Sequence, residues 1–147
     1  MSIGTTSTGS RTLIQTAALL VGATFVLVGL LGFVPGITTS FDELSFASND
    51  SGAELLGIFQ VSVLHNLVHL LFGVVGLVMA KSVSGAKLFL VGGGAVYVVL
   101  FVYGLVIDLG SAANFVPVNE ADNYLHLVLG VAMIGLGSVL GKKGARV

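Results

Sequence analysis

The chain has 147 residues, of which six are Lys or Arg, seven are Asp or Glu, three are His and none is Cys. Apolar residues make up 55% and the mean hydropathy is +1.06, whereas charged residues make up only 9%, against roughly 25% in soluble globular proteins. This composition argues against a soluble enzyme and predicts an integral membrane protein of one domain. A net charge of -1 argues against nucleic-acid binding, and the lack of Cys excludes disulfides, thiolate metal sites and iron–sulfur clusters.

Four apolar stretches are long enough to cross a bilayer, which takes about 20 helical residues. Their predicted bounds are residues 13–34, 57–80, 88–107 and 119–141, the last including a polar first turn. The first stretch has the polar start of a signal peptide, but its apolar run exceeds the roughly 7–15 residues of a signal segment. We therefore predict an uncleaved helix there and a single four-helix transmembrane domain over residues 1–147.

Basic and acidic side chains lie in different loops of the predicted arrangement. The basic residues lie in the two tails and in the loop between the second and third spans: Arg11, Lys81, Lys87, Lys142, Lys143 and Arg146. The acidic residues lie in or beside the outer loops 35–56 and 108–118: Asp42, Glu43, Asp50, Glu54, Asp108, Glu120 and Asp122. Because Lys and Arg concentrate on the cytoplasmic side, both termini are predicted to be cytoplasmic in a bacterial inner membrane. We expect the first outer loop to form turns or a short surface helix, and Asp108, Glu120 and Asp122 to be solvated.

Small residues recur at three- and four-residue spacing in every span. They include Ala18, Gly22, Gly29 and Gly32, then Gly73, Gly76 and Ala80, then Gly94 and Gly104, and finally Gly130 and Gly137. Such stripes let membrane helices approach closely. The predicted fold is therefore all-α, an antiparallel up-down-up-down bundle of four transmembrane helices.

The second and fourth spans share the pattern Asn-x-x-His-Leu-x-x-Gly, in residues 66–73 and 123–130. Asn and His are rare in membrane helices, so the shared Asn-x-x-His is the informative part. The first and third spans match only weakly, at Gly29 and Gly104. We interpret the pattern as an internal repeat, with two tandem helical hairpins as the predicted arrangement.

Five neutral polar residues in these two spans form the candidate site: His65, Asn66, His69, Asn123 and His126. Polar groups inside a membrane are costly and usually face the bundle interior, where they find partners. The leading hypothesis is structural, with hydrogen bonds from this cluster tying the second and fourth helices together. Since no recognisable catalytic arrangement accompanies the cluster, we assign no catalytic residue and expect a non-enzymatic accessory component.

Two other interpretations of the histidines remain open. Imidazole is a ligand for haem and for metals, so haem b or a divalent metal is an alternative, held by His69 and His126 with His65 as a substitute. A small channel or proton path is a further alternative. The expected partners are the lipid bilayer and either a second copy or a larger membrane complex.

Three sequence blocks resemble those of a family of small four-helix bacterial membrane proteins, frequent in actinobacteria and known as a domain of unknown function. The blocks are Gly-Phe-x-Pro-Gly at residues 32–36, His-Asn-x-x-His-Leu at 65–70, and Ala-Asp-Asn-x-Leu-His at 121–126. The resemblance extends over about residues 15–141. It implies a four-span membrane protein and supplies no activity, substrate or cofactor.

Overall fold

The computed structural model describes residues 10–143, without the side chain of residue 143, and Arg146 and both chain ends lie outside this range. Four helices dominate it: α1 (Leu13–Leu31), α2 (Val63–Met79), α3 (Val83–Val106) and α4 (Glu120–Lys143). Three of them, α1, α3 and α4, are long and apolar enough to cross a membrane, while α2 is an apolar helix of 17 residues. The predicted class, a helical membrane protein, agrees with this structure.

Two helices begin at different residues from those predicted, and a serine cap explains each start. The hydroxyl of Ser62 accepts a hydrogen bond from the backbone N–H of His65 at 3.0 Å, so α2 begins at Val63 instead of residue 57. The hydroxyl of Ser82 likewise accepts from the N–H of Gly85 at 3.0 Å, so α3 begins at Val83 instead of residue 88.

The residues between α1 and α2, expected to form turns or a short surface helix, contain turns, a 3-10 helix (Phe41–Glu43) and also a small sheet. Its strands are β1 (Thr38–Thr39), β2 (Glu54–Leu55) and β3 (Phe59–Gln60), paired antiparallel in that order. Buried Ala53, Leu55 and Val61 form its core, against which Val28 and Leu31 of α1 pack. Its third strand, β3, occupies residues that were predicted to be the first turn of the second span.

The helices pack mainly with their neighbours in sequence, α1 on α2 and α3 on α4, with smaller contacts between α1 and α3. The side-chain amide of Gln15 donates to the carbonyls of Ala80 and Lys81 at 3.1 and 3.0 Å, which places the start of α1 beside the end of α2.

Glycines allow the close approach within each helix pair. A Cβ at Gly73 would lie 2.6 Å from the backbone nitrogen of Val26, and one at Gly94 would lie 2.8 Å from the carbonyl oxygen of Gly130. Only a hydrogen atom fits in these gaps. The prediction that the small-residue stripes mediate helix packing is thus confirmed for both pairs.

The helix surfaces that face away from the other helices are apolar. Exposed examples are Leu20, Leu27, Leu71, Leu88, Val99, Leu105, Val128 and Val139. Buried polar side chains lie inside, among them Asn66, Asn123 and His126. Contiguous exposed apolar surface of this extent is unstable in water and suits a lipid environment.

Candidate functional site

The imidazoles of His65 and His69 lie on consecutive turns of α2, with ring centroids 4.5 Å apart. The Nδ1 of His65 is 3.0 Å from the carbonyl oxygen of Pro117, and the Nδ1 of His69 is 3.0 Å from the carbonyl oxygen of His65. Because a carbonyl oxygen only accepts, each Nδ1 carries a proton and donates. In the neutral imidazole the Nε2 atom of each ring then presents a lone pair.

A continuous series of aromatic rings connects His69 to His126 through all four helices. His69 of α2 lies 5.5 Å from Phe25 of α1, measured between ring centroids. Phe25 stacks on Tyr97 of α3 at 5.4 Å and an interplanar angle of 28°, and Tyr97 meets His126 of α4 edge-on at 5.1 Å. The rings of Phe25 and Tyr97 therefore link the histidines of the two sequence blocks.

His126 differs from the other two histidines in its hydrogen bonding. Its side chain is 6% exposed, and its Nδ1 is buried with no hydrogen-bond partner within residues 10–143. The same side chain lines a cavity. Its Nε2 is not enclosed and unpaired in this way, which leaves Nε2 as the ring nitrogen able to face the cavity. A buried polar atom without a partner is uncommon in native structures and calls for an explanation.

The cavity has a volume of about 180 Å³ and lies between the histidines and the loop that joins α3 to α4 (residues 107–119). Its lining consists of His65, Val68, His69, Tyr97, Leu100, Tyr103, Ala113, Asn114, Phe115, Val116, Val118 and His126. A second cavity of about 110 Å³ also contacts His65 and His69, together with Asn66 and Asp122. The two adjacent histidines of α2 therefore border both cavities.

The α3–α4 loop is held over the cavity by specific hydrogen bonds. The buried Asn114 amide donates to the carbonyls of Leu109 and Val118 at 3.0 and 2.9 Å, and its oxygen accepts from the N–H of Val118 at 3.0 Å. The hydroxyl of Tyr103 donates to the carbonyl of Ala113 at 2.8 Å. Together with the bond from His65 to Pro117, these contacts give the cavity a fixed outer wall.

Asn66 and Asn123 lie at the helix contacts and do not line the larger cavity. A Cβ on Gly32 would overlap the amide of Asn66, and a Cβ on Gly104 would overlap the amide of Asn123. Asn66 thus packs against the end of α1 and Asn123 against the end of α3. The amide nitrogen of Asn66 and the amide oxygen of Asn123 are buried without hydrogen-bond partners in the described part of the chain.

The expectation that Asp122 is solvated is wrong, because its side chain is 3% exposed. Its carboxylate accepts from the backbone N–H groups of Gln60 and Asn119 at 3.1 and 3.0 Å. The oxygen of Asn119 accepts in turn from the N–H of Asp122 at 3.0 Å, and its amide donates to the carbonyl of Ile58 at 2.7 Å. The pairing of Asn119 with Asp122 is a capping box, whose spacing in the sequence is the signal that reveals it.

Metal ligation by the three histidines was left open by the sequence. Within residues 10–142, no three His, Asp or Glu side chains are placed to hold one metal ion together. Two imidazoles, His65 and His69, do have the orientation found in metal ligands, because each donates its Nδ1 proton to a backbone carbonyl. A site built from the described residues alone would therefore have at most two such donors.

Comparison with known proteins gives one match. The sequence model of a family described as a domain of unknown function, DUF4383, matches residues 15–139. No curated protein and no solved structure matches the chain.

Proposed function

The chain belongs to the DUF4383 family, a domain of unknown function, and on this premise we propose a role from its own geometry. It is an integral protein of the bacterial inner membrane that acts as a non-enzymatic accessory component. Polar side chains near their starts hold the second and fourth helices together: His65 of the candidate site, with Asp122 and Asn119. Its apolar faces contact the lipid bilayer and a protein partner. That partner is either a second copy of this chain or a larger membrane complex.

The observation that carries this proposal is a set of hydrogen bonds between the start of α2 and the start of α4. His65 donates to the carbonyl of Pro117, just before α4, and Asp122 of α4 accepts from the N–H of Gln60, just before α2. Asn119 adds a bond to the carbonyl of Ile58. Polar contacts between membrane helices contribute about 0.6–2 kcal/mol each, so three of them stabilise the joint substantially.

The proposed arrangement is a single domain of four antiparallel helices, running up, down, up and down, with both termini in the cytoplasm. The length and apolarity of α1, α3 and α4 support it, as does the contact of Gln15 with the end of α2. The separation of basic from acidic residues by loop supports the orientation. In this placement the small sheet and the α3–α4 loop lie on the outer side.

The proposed arrangement also contains an internal repeat of two helical hairpins, and equivalent contacts support it. Those contacts are Gly32 with Asn66 and Gly104 with Asn123, Gly22 with Gly73 and Gly94 with Gly130, and Phe25 with His69 and Tyr97 with His126. These pairs align Gly32 with Gly104, whereas the sequence alone aligned Gly29 with it. The stacked rings of Phe25 and Tyr97 then lie where the two hairpins meet.

Stability measurements test the proposed structural role. Replacing Asp122 by Ala leaves two part-buried backbone N–H groups without their acceptor, which costs up to about 1–3 kcal/mol each. Glu120→Ala, two residues earlier on the exposed side of the same helical turn, is the matched control. We expect Asp122→Ala and His65→Ala to unfold in SDS well before the wild type and Glu120→Ala; equal unfolding curves for all four proteins would overturn the proposed tie.

Metal binding is a second candidate, favoured by the Nδ1 bonds of His65 and His69 to backbone carbonyls. The purified protein in mild detergent would then retain a divalent metal in a fixed ratio to protein, and His69→Ala would lose it. A visible spectrum of the same sample, oxidised and reduced, tests haem. Metal content and spectra that do not differ between the wild type and His69→Ala would contradict this candidate.

A further inference from the structure

We propose that the cavity of about 180 Å³ beneath the α3–α4 loop binds a small neutral molecule with one aromatic ring and one hydroxyl group, a ligand of the phenol class. The proposal goes beyond the structural role described above. It rests on the cavity and its polar groups, and on the proposed placement in a membrane, from which such a molecule can partition into the site.

The size and the walls of the cavity fit one aromatic ring. Apolar cavities of about 150 Å³ are known to bind benzene, so about 180 Å³ accommodates a ring with a single small substituent. Val68, Leu100 and Phe115 supply apolar lining. Because the lining formed by residues 10–143 contains no Lys, Arg, Asp or Glu, a charged ligand would lose its hydration there without an opposite charge to compensate.

Three imidazoles line the cavity, and two of them, those of His69 and His126, provide complementary hydrogen-bonding atoms. His69 donates through Nδ1 to a backbone carbonyl, so its Nε2 is an acceptor. The Nδ1 of His126 is enclosed and unpaired, and an unpaired acceptor is tolerated better in protein interiors than an unpaired donor. The proton of His126 is therefore placed on Nε2, which makes the available nitrogen a donor.

A hydroxyl group matches this pair because it donates one hydrogen bond and accepts others. The hydroxyl proton would go to Nε2 of His69, and the hydroxyl oxygen would accept from Nε2 of His126. A hydrocarbon of the same shape leaves both nitrogens without partners, so the site discriminates by the hydroxyl. The stacked rings of Phe25 and Tyr97 keep the two imidazoles in place on either side.

Fluorine NMR of the full chain in lipid nanodiscs tests this assignment. The probes are 4-fluorophenol and 4-fluorotoluene, which have nearly the same shape and differ in the hydroxyl. Empty nanodiscs measure partitioning into lipid. We expect saturable one-to-one binding of 4-fluorophenol, and about tenfold or more weaker binding of 4-fluorotoluene, since two hydrogen bonds are lost. Equal affinities for the two probes, or no saturable binding of 4-fluorophenol, would overturn the proposal.

Variants locate the bound molecule. His126→Leu removes the proposed donor and should weaken 4-fluorophenol by about fivefold or more while leaving 4-fluorotoluene unchanged or tighter. Val116→Phe, on the loop, leaves all three imidazoles in the chain, fills part of the cavity and should abolish binding of both probes. Tyr124→Phe is the matched control, because Tyr124 is exposed on α4 outside this cavity, and it should bind like the wild type.

The outcomes separate ligand binding from the structural role. The stability of each variant in SDS is also measured without ligand. A variant that binds the probes normally but unfolds early tests only the proposed structural role, the bonds between the starts of α2 and α4. Wild-type affinity for 4-fluorophenol in both His126→Leu and Val116→Phe would refute the site. Should His126→Leu fail to fold, Val116→Phe decides the question alone.

Discussion

Replacing Gly130 by Ala adds one methyl group at the contact between α3 and α4. That carbon would lie 2.8 Å from Cγ2 of Val98 and 3.0 Å from both the carbonyl oxygen of Gly94 and the backbone nitrogen of Val98. Ordinary contacts of this kind are 3.4–4 Å. Two of the three neighbours are backbone atoms, so the strain cannot be relieved by a side-chain rotation and the helices must separate by several tenths of an ångström.

Gly135, one and a half turns further along α4, is the matched control because a Cβ there would meet nothing within 4 Å. Both substitutions gain the same helix propensity, at most about 1 kcal/mol, so this gain cancels in the comparison. What remains is the overpacking cost at Gly130, about 1–3 kcal/mol.

Unfolding in mixed detergent–SDS micelles, followed by far-ultraviolet circular dichroism, measures this difference. We expect Gly130→Ala to be less stable than Gly135→Ala by about 1–3 kcal/mol. The equivalent comparison in α3 sets Gly94→Ala against Gly92→Ala, where the nearest atom would be 3.7 Å away. If Gly130→Ala matched or exceeded Gly135→Ala in stability, the inferred close contact between α3 and α4 would be refuted.

Three further predictions concern the repeat, the loop and the topology. Gly32→Ala and Gly104→Ala each displace an Asn amide, so both should lower the free energy of unfolding by about 1–3 kcal/mol. If the two hairpins are equivalent, the two losses should be similar, and clearly unequal losses would contradict the repeat. Asn114→Ala removes the bonds that shape the α3–α4 loop and should speed protease cleavage within residues 107–119, whereas unchanged cleavage would show that the loop is held by other contacts. A reporter enzyme fused after Val147 should be active only in the cytoplasm, and one inserted at residues 47–50 only outside; the reverse result would invert the proposed orientation.

The helical class and the glycine contacts could be predicted because both depend on local pattern. Sustained apolarity over about 20 residues specifies a membrane helix, and small residues at three- and four-residue spacing specify its packing face. Tyr97 follows Gly94 by three residues and so lies on the face of α3 that the small residues predict to be inward, although the sequence offers no reason to prefer a site over simple packing.

The small sheet and the burial of Asp122 could not be predicted from hydropathy, because they depend on contacts between distant segments. Residues 57–62 are apolar enough to extend a helix, yet a positive φ at Leu56 and Gly57 turns the chain into β3. Asp122 is buried because Gln60 brings a backbone N–H to it from β3. Similarly, the position of the α3–α4 loop over the cavity could not be predicted, because it depends on the hydrogen bond between His65 and Pro117, which are far apart in the sequence.

The glycine contacts within α1–α2 and within α3–α4 have a consequence for biosynthesis. Helices that leave the ribosome one after the other are also the ones that fit most closely, so the first pair can assemble while the second is still being translated. Contacts that bridge the pairs, such as Phe25 with Tyr97 and His65 with Pro117, must then form last. His126 would therefore join His65 and His69, which already share α2, only in the final step of assembly.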